Sequence, residues 1–179
     1  SLTTIDPFGT ALTLNGGTGN DTIHLGADIT FASGVNLDID LQNDDANPGS
    51  DTINLGADAN LIFSGSGAAT LKASRSITLA SGASIEVVNG SLTIEANQQV
   101  TPTAGDFVGV DVRGGLLRST GSGSVTVKGK GGTGVGGSQF GVSVAGGGDI
   151  VGGSAQLTVL GTGGASAGNN SHGVLVTGS

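Results

Sequence analysis

The sequence predicts an all-β chain folded as one parallel β-helix, a β-solenoid of about five to six coils running through residues 1–179. Three observations predict it. Blocks of sequence return at fixed spacings of 30 and 32 residues. Apolar and polar residues alternate with period two inside short runs, as in half-buried strands, and no stretch sustains a helical period. The chain holds 36 Gly and five Phe but no Trp, Tyr, Met or Cys, so its core must be a regular array of small aliphatic side chains.

Residues 1–71 form an acidic segment with a 30-residue repeat. Asp21-Thr22-Ile23-His24-Leu25-Gly26-Ala27-Asp28 returns as Asp51-Thr52-Ile53-Asn54-Leu55-Gly56-Ala57-Asp58. Between the two blocks, Val35-Asn36-Leu37-Asp38-Ile39-Asp40-Leu41 alternates as a strand does. Strand starts then fall about eight residues apart, at Ile53, Leu61, Ala69, Ile77, Ile85 and Leu92. Three such strands make a lap of about 24, the size of a triangular coil, and residues 72–107 are read as short coils of this kind.

Residues 108–179 carry Gly-rich repeats of 32. Gly109-Val110-Asp111-Val112 recurs as Gly141-Val142-Ser143-Val144 and Gly173-Val174-Leu175-Val176, and Val125-Thr126-Val127-Lys128-Gly129 recurs as Leu157-Thr158-Val159-Leu160-Gly161. Stacked coils place such equivalents about 4.8 Å apart, which makes Val110, Val142 and Val174 one interior column and Val125 with Leu157 another. A sandwich gives no reason for residues 32 apart to match. The middle strand of this repeat (Leu116-Leu117 against Asp149-Ile150) aligns poorly, which leaves its register open. A single coil buries too little to stand alone, so stability accrues on stacking.

The net charge of −8 is unevenly placed: residues 1–71 hold nine Asp and no Lys or Arg, while the remainder carries six basic and five acidic residues. With no basic patch, the chain is not expected to bind nucleic acid, whose phosphates require Lys and Arg. No apolar run approaches the roughly 20 residues that span a bilayer, so membrane insertion is not expected. Ser1 and the strand-like run near Ser179 read as cuts through a longer protein, in which neighbouring coils would cover both ends.

Ser76-Ile77-Thr78-Leu79-Ala80-Ser81-Gly82-Ala83-Ser84-Ile85, continuing through Asn89-Gly90-Ser91-Leu92-Thr93-Ile94-Glu95-Ala96, resembles the repeats of filamentous haemagglutinin-like exoproteins. The Gly-Val-x-Val and Val-Thr-Val-x-Gly repeats are similar to those of very large bacterial surface proteins. The resemblance covers most of residues 53–179. It implies a right-handed parallel β-helix, export to the surface or surroundings of a Gram-negative cell, and an adhesin-type role in contact with another cell surface or a glycan.

The sharpest local motif is Gly16-Gly17-Thr18-Gly19-Asn20-Asp21-Thr22-Ile23-His24, which fits the calcium-binding nonapeptide Gly-Gly-x-Gly-x-Asp-x-U-x. Turn carbonyls and an Asp carboxylate offer the oxygens that a hard cation takes. With a 30-residue coil, Asp21 would lie beneath Asp51 and Asp28 beneath Asp58, so Gly17, Gly19, Asp21, Asp51, Asp28 and Asp58 are the candidate calcium ligands. The alternative is that the glycines are turns and the Asp side chains cap backbone amides. Consecutive copies of the nonapeptide are absent, and Asn43-Asp44-Asp45-Ala46-Asn47 reads as a solvated loop.

Catalysis is less well supplied. A polysaccharide lyase or hydrolase needs carboxylates clustered with Arg or Lys, and the nearest candidate grouping is Arg113, Arg118 and Asp111. His24 is replaced by Asn54 in its repeat, and His172 aligns with Phe140 and Val108 as a packing position, so no Ser/His/Asp arrangement can be nominated. Outward Thr13, Thr70, Thr78, Thr93, Thr126 and Thr158 come singly rather than as paired ranks that would order ice. The expected function is therefore a structural and interaction module rather than an enzyme, with a calcium-stabilised solenoid as the alternative and a carbohydrate-active enzyme as the less favoured one.

Overall fold

A computed structural model describes residues 3–5, 9–42, 49–165 and 170–178. Each lap of the chain contributes three short strands and then repeats. Coil 1 carries β1 (Thr3–Ile5), β2 (Ala11–Asn15) and β3 (Thr22–Leu25), and coil 2 carries β4 (Ile29–Phe31), β5 (Asn36–Asp40) and β6 (Thr52–Leu55). Coil 3 carries β7 (Asn60–Phe63), β8 (Ala69–Ala73) and β9 (Ser76–Leu79); coil 4 carries β10 (Ser84–Val87), β11 (Leu92–Ala96) and β12 (Val110–Arg113). Coil 5 follows with β13 (Leu116–Ser119), β14 (Val125–Lys130) and β15 (Val142–Ala145), and coil 6 with β16 (Asp149–Val151), β17 (Leu157–Thr162) and β18 (Val174–Val176).

The first strands of the six coils form one six-stranded parallel sheet, which we call sheet A. The second strands form sheet B and the third strands sheet C. Every strand pair is parallel and joins neighbouring coils, and no helix occurs among the described residues. This is the three-sided parallel β-helix that the repeats predict, and the strands begin where the eight-residue rhythm places them.

The alternation works because successive side chains of a strand point to opposite faces. In β8 and β11 the first, third and fifth residues, Ala69, Leu71 and Ala73, and Leu92, Ile94 and Ala96, are buried, while the residues between them face outward. Stacking turns each inward position into a column. Ile23, Ile53, Ile77, Val110, Val142 and Val174 form the first column of sheet C. In sheet B, Val125 stands over Leu92 and under Leu157. Phe31 and Phe63 stack nearly parallel, with centroids 4.3 Å apart, at the end of the sheet A column. Full burial of such side chains is worth roughly 1.5–3 kcal/mol each.

The register of the middle strand left open by the sequence resolves simply. Leu116 pairs with Asp149 and Leu117 with Ile150, an offset of 33 rather than 32, so Leu117 and Ile150 point inward together. The lap length is not constant. A 24-residue step separates Asn60 from its cross-coil partner Ser84, whereas 32 separates Glu86 from Arg118. Among the described residues, the extra length of the long laps collects at the corner between sheets B and C, where 97–109 and 131–141 connect the strands.

The repeated glycines belong to that corner. A Cβ on Gly129 would lie 2.0 Å from the Gly141 carbonyl oxygen, and one on Gly161 1.8 Å from that of Gly173. The Gly of Val-Thr-Val-x-Gly therefore packs against the Gly of Gly-Val-x-Val, where the long connection returns onto the strand that launched it.

Candidate functional site

The polar groups converge along the corner between sheets B and C, and there they form a chain of hydrogen bonds from coil to coil. In coil 1, the Asp21 backbone N–H donates to Asp51 Oδ1 of coil 2 at 2.7 Å. The Asp51 N–H donates to Ser74 Oγ of coil 3 at 2.9 Å, and the Ser74 hydroxyl donates back to Asp51 Oδ2 at 2.8 Å. In coil 4, Gln99 Nε2 donates to the Ser74 carbonyl at 2.7 Å, and the Thr103 hydroxyl lies 2.7 Å from the same oxygen. Asn97, in the left-handed region at φ 58°, accepts the Thr103 N–H and donates through Nδ2 to the Lys130 carbonyl of coil 5. Asp106 of coil 4 accepts from Gln139 of coil 5, whose carbonyl accepts the Gly164 N–H of coil 6.

Asp51, Ser74, Asn97, Gln99 and Gln139 are all buried. Buried polar groups are costly unless paired, and each finds its partner in a neighbouring coil. The Asp51 carboxyl is held above its ordinary value chiefly by burial, with the Asp21 charge adding to the rise; the Asp21 N–H and the Ser74 hydroxyl act in the opposite sense. Asp21 Oδ2, Gln99 Oε1 and Gln139 Oε1 are buried without a hydrogen-bond partner.

Of the six candidate calcium ligands, Asp21 and Asp51 are brought together as the 30-residue repeat requires. Asp28 and Asp58 are not. Asp28 lies opposite Asn60, whose N–H and Nδ2 both donate to Asp28 Oδ1, at 2.9 and 2.8 Å. The reason is a register slip: Leu25 pairs with Leu55 but Ile29 with Leu61, so the turn from Leu55 to Leu61 is two residues longer than the equivalent turn from Leu25 to Ile29. Asp58 sits at φ 59° within that longer turn. Gly17 and Gly19 adopt positive φ, and the Gly19 carbonyl is pressed against Gly49, on which a Cβ would stand 1.7 Å from that oxygen. The six residues do not make one oxygen shell, and among the described residues no group of three or more His, Cys, Asp or Glu is placed to hold a metal. The loop Asn43–Asn47 lies outside the described residues.

The charged side chains pair along the outer faces. On sheet B, Asp40, Lys72, Glu95 and Lys128 stand in successive coils at one column position. Lys72 Nζ is 3.4 Å from Asp40 Oδ2, and Lys128 Nζ is 2.8 Å from Glu95 Oε1. On sheet A, Arg118 forks onto Glu86, while on sheet C Arg113 Nη2 meets Asp111 Oδ2 at 2.9 Å. The grouping of Arg113, Arg118 and Asp111 is thus split between two faces. Arg75 lies over the Phe107 ring, 5.2 Å from its centroid.

Thr13, Thr70, Thr93, Thr126 and Thr158 share one outward column of sheet B, interrupted by Asp38, whereas Thr78 lies on sheet C beside Asn54 and Asp111. His24 stands beside Asn54, and His172 stacks on Phe140 with centroids 5.9 Å apart. Sequence reasoning missed Ser74, Asn97, Gln99 and Thr103. A signal existed, since Ala73-Ser74 and Ala96-Asn97 each end a strand with a small residue followed by a polar one.

No family model, no curated protein and no solved structure matches the chain.

Proposed function

We propose that the chain is a structural and interaction module of a large secreted or cell-surface bacterial protein, an adhesin-type stalk that carries contact with another cell surface or a glycan. The observation that supports it is where the charged groups spend their interactions. Lys72, Lys128, Arg113 and Arg118 each pair with a carboxylate, and Arg75 covers an aromatic ring. Three of these pairs, Lys72 with Asp40, Lys128 with Glu95 and Arg118 with Glu86, are rungs between neighbouring coils, and such rungs stiffen a rod and leave its repetitive outer faces as the working surface.

Beads coated with the chain test this reading. They should be retained on cultured epithelial cells or on bacterial cells well above beads coated with heat-unfolded chain. Retention at the level of the unfolded control rejects it. Release of reducing ends or unsaturated sugars from a panel of polysaccharides would favour the carbohydrate-active alternative instead.

A second reading, calcium-dependent stiffening of coils 1 and 2, is favoured by the buried, partnerless Asp21 Oδ2 beside the Asp51 carboxylate. An equal melting temperature in calcium and in chelator rejects it.

A further inference from the structure

We infer that a hollow on the outer face of sheet B, at its corner with sheet C, binds one neutral sugar residue. The site deepens the contact reading above and rests on it for where such a sugar would be met. It belongs to coils 2 to 4, with coil 1 below and coils 5 and 6 above, so it does not depend on either end of the rod.

The hollow arises from unequal laps. Coil 3 passes from β8 to β9 through Ser74 and Arg75 alone, whereas coil 4 takes residues 97–109 to pass from β11 to β12. The long connection folds down over the short corner. Gln99 Nε2 and the Thr103 hydroxyl both reach the Ser74 carbonyl, and the Thr103 hydroxyl also lies 3.1 Å from the Gly49 carbonyl of coil 2. From below, Gln42 of coil 2 crosses the same corner, donating through Nε2 to the Ala73 carbonyl at 2.6 Å and to the Glu95 carbonyl at 3.4 Å. Between these two walls, about 290 Å³ is left over the outward side chains of Asp40, Lys72 and Glu95. That is the small end of the range of about 300–1,000 Å³ for ligand sites, which suits a single ring.

Its polar groups are balanced in charge but not in hydrogen bonding. Asp40, Lys72, Glu95 and the neighbouring Lys128 sum to zero, so a charged ligand meets no net counter-charge. Asp40 Oδ1 accepts the Gln42 N–H, and Glu95 Oε1 accepts from Lys128. Lys72 gives one donor to Asp40 Oδ2 at 3.4 Å and keeps the others. Among the described residues, nothing donates to Glu95 Oε2 or to the side-chain oxygens of Gln42 and Gln98, whose amide nitrogens are already held by backbone carbonyls. Each sugar hydroxyl carries one donor and two acceptor lone pairs. Neighbouring hydroxyls therefore give to these oxygens while taking from the Lys72 ammonium. Val100, which lines the hollow yet is 89% exposed, supplies an apolar surface for the C–H side of the ring.

Saturation-transfer NMR on the 179-residue chain tests this with the methyl glycosides of glucose, galactose, mannose and N-acetylglucosamine, beside the charged glucuronic acid and glucosamine. At least one neutral glycoside should receive saturation from the protein, and more strongly than either charged sugar. Val100→Arg sets a long charged side chain over the hollow from a solvent-exposed position, and should abolish the transfer. Val135→Arg, 91% exposed on the next connection, should leave it unchanged, and circular dichroism verifies that both variants keep the β-helix. No transfer to any neutral glycoside overturns the proposal. So does transfer that survives Val100→Arg, or stronger transfer to a charged sugar. The outcome is separable from that of the contact reading. Beads retained on cells by a chain that binds none of these sugars reject the hollow and leave the contact reading standing, whereas sugar binding without retention does the reverse.

Discussion

The Asp51 carboxylate accepts the Asp21 backbone N–H across one complete lap of the chain, at 2.7 Å. The same carboxylate holds Ser74 in the next coil, so one side chain joins three coils at a corner where it is 1% exposed.

Burial raises the Asp51 pKa above its ordinary 3.8, which makes the link pH-sensitive with a definite sign. A carboxyl whose folded pKa is raised binds its proton more tightly in the folded chain. Its contribution to stability is therefore full below the unfolded pKa and is lost as pH rises through the folded value. Asp51→Asn keeps an oxygen for the Asp21 N–H and carries no charge to bury. The expected result is a variant whose melting temperature gains on the unmodified protein as pH rises from about 4 toward neutrality, and shows no gain at the acid end. Thermal melts across that range check it; a gain that shrinks with rising pH contradicts the argument. Asp51→Ala instead strands the Asp21 N–H and the Ser74 hydroxyl, and should cost about 1–3 kcal/mol at any pH.

Ile77 and Ile94 are fully buried in the middle of columns that continue on both sides. Truncating either to Ala leaves a cavity that neighbouring coils, fixed by their backbone ladders, cannot close. Each should lose about 2–5 kcal/mol in denaturant unfolding. Leu157→Ala removes a comparable side chain from the open end, where 43% of the residue is already exposed, and should cost about 1 kcal/mol or less in the monomer. Similar losses at all three sites would mean that coil 6 is covered.

What the sequence made legible was local. Alternation and eight-residue spacing placed β6 to β11, and the 32-residue repeats placed β12, β14, β15, β17 and β18. What it hid depends on summed lap lengths. Asp40, Lys72, Glu95 and Lys128 form one ladder, yet their steps are 32, 23 and 33 residues, so no single period aligns them. The same sensitivity misplaced Asp28: Ile23, His24 and Leu25 keep the 30-residue register, but the longer turn before Leu61 shifts the next strand by two. The corner network of Ser74, Asn97, Gln99 and Thr103 was hidden because its polarity mimics an ordinary surface turn until the coil above covers it.

Gly49 separates steric from conformational requirements. It has φ +64°, and a Cβ would also fall 1.7 Å from the Gly19 carbonyl oxygen, which backbone cannot yield. Gly147 has φ +79° but open space around it. Gly147→Ala should therefore cost only the left-handed penalty, about 1–2 kcal/mol, whereas Gly49→Ala must also part coils 1 and 2 and should cost clearly more. The two melts compared side by side decide this. Equal losses would show that backbone conformation alone explains both glycines.

The ladder on sheet B supplies the last prediction. Lys128 Nζ and Glu95 Oε1 are 2.8 Å apart, but the Lys side chain is 38% exposed, so solvent screens the pair and a double-mutant cycle should return only about 0.2–1 kcal/mol of coupling. Reversal is a different matter, because Glu95 stands between Lys72 and Lys128. Lys128→Glu puts two carboxylates side by side in adjacent strands, where like charges directly opposite are destabilising. The loss should exceed that of Lys128→Ala and shrink as salt is raised toward about 1 M, where the screening length falls to about 3 Å. The additional change Glu95→Lys restores a pair at that rung while placing Lys opposite Lys72. If the ladder acts as a whole, that double variant recovers only part of the loss, and adding Lys72→Glu together with Asp40→Lys, which reverses every rung, recovers the rest. Full recovery in the double variant would show instead that the rungs are independent pairs.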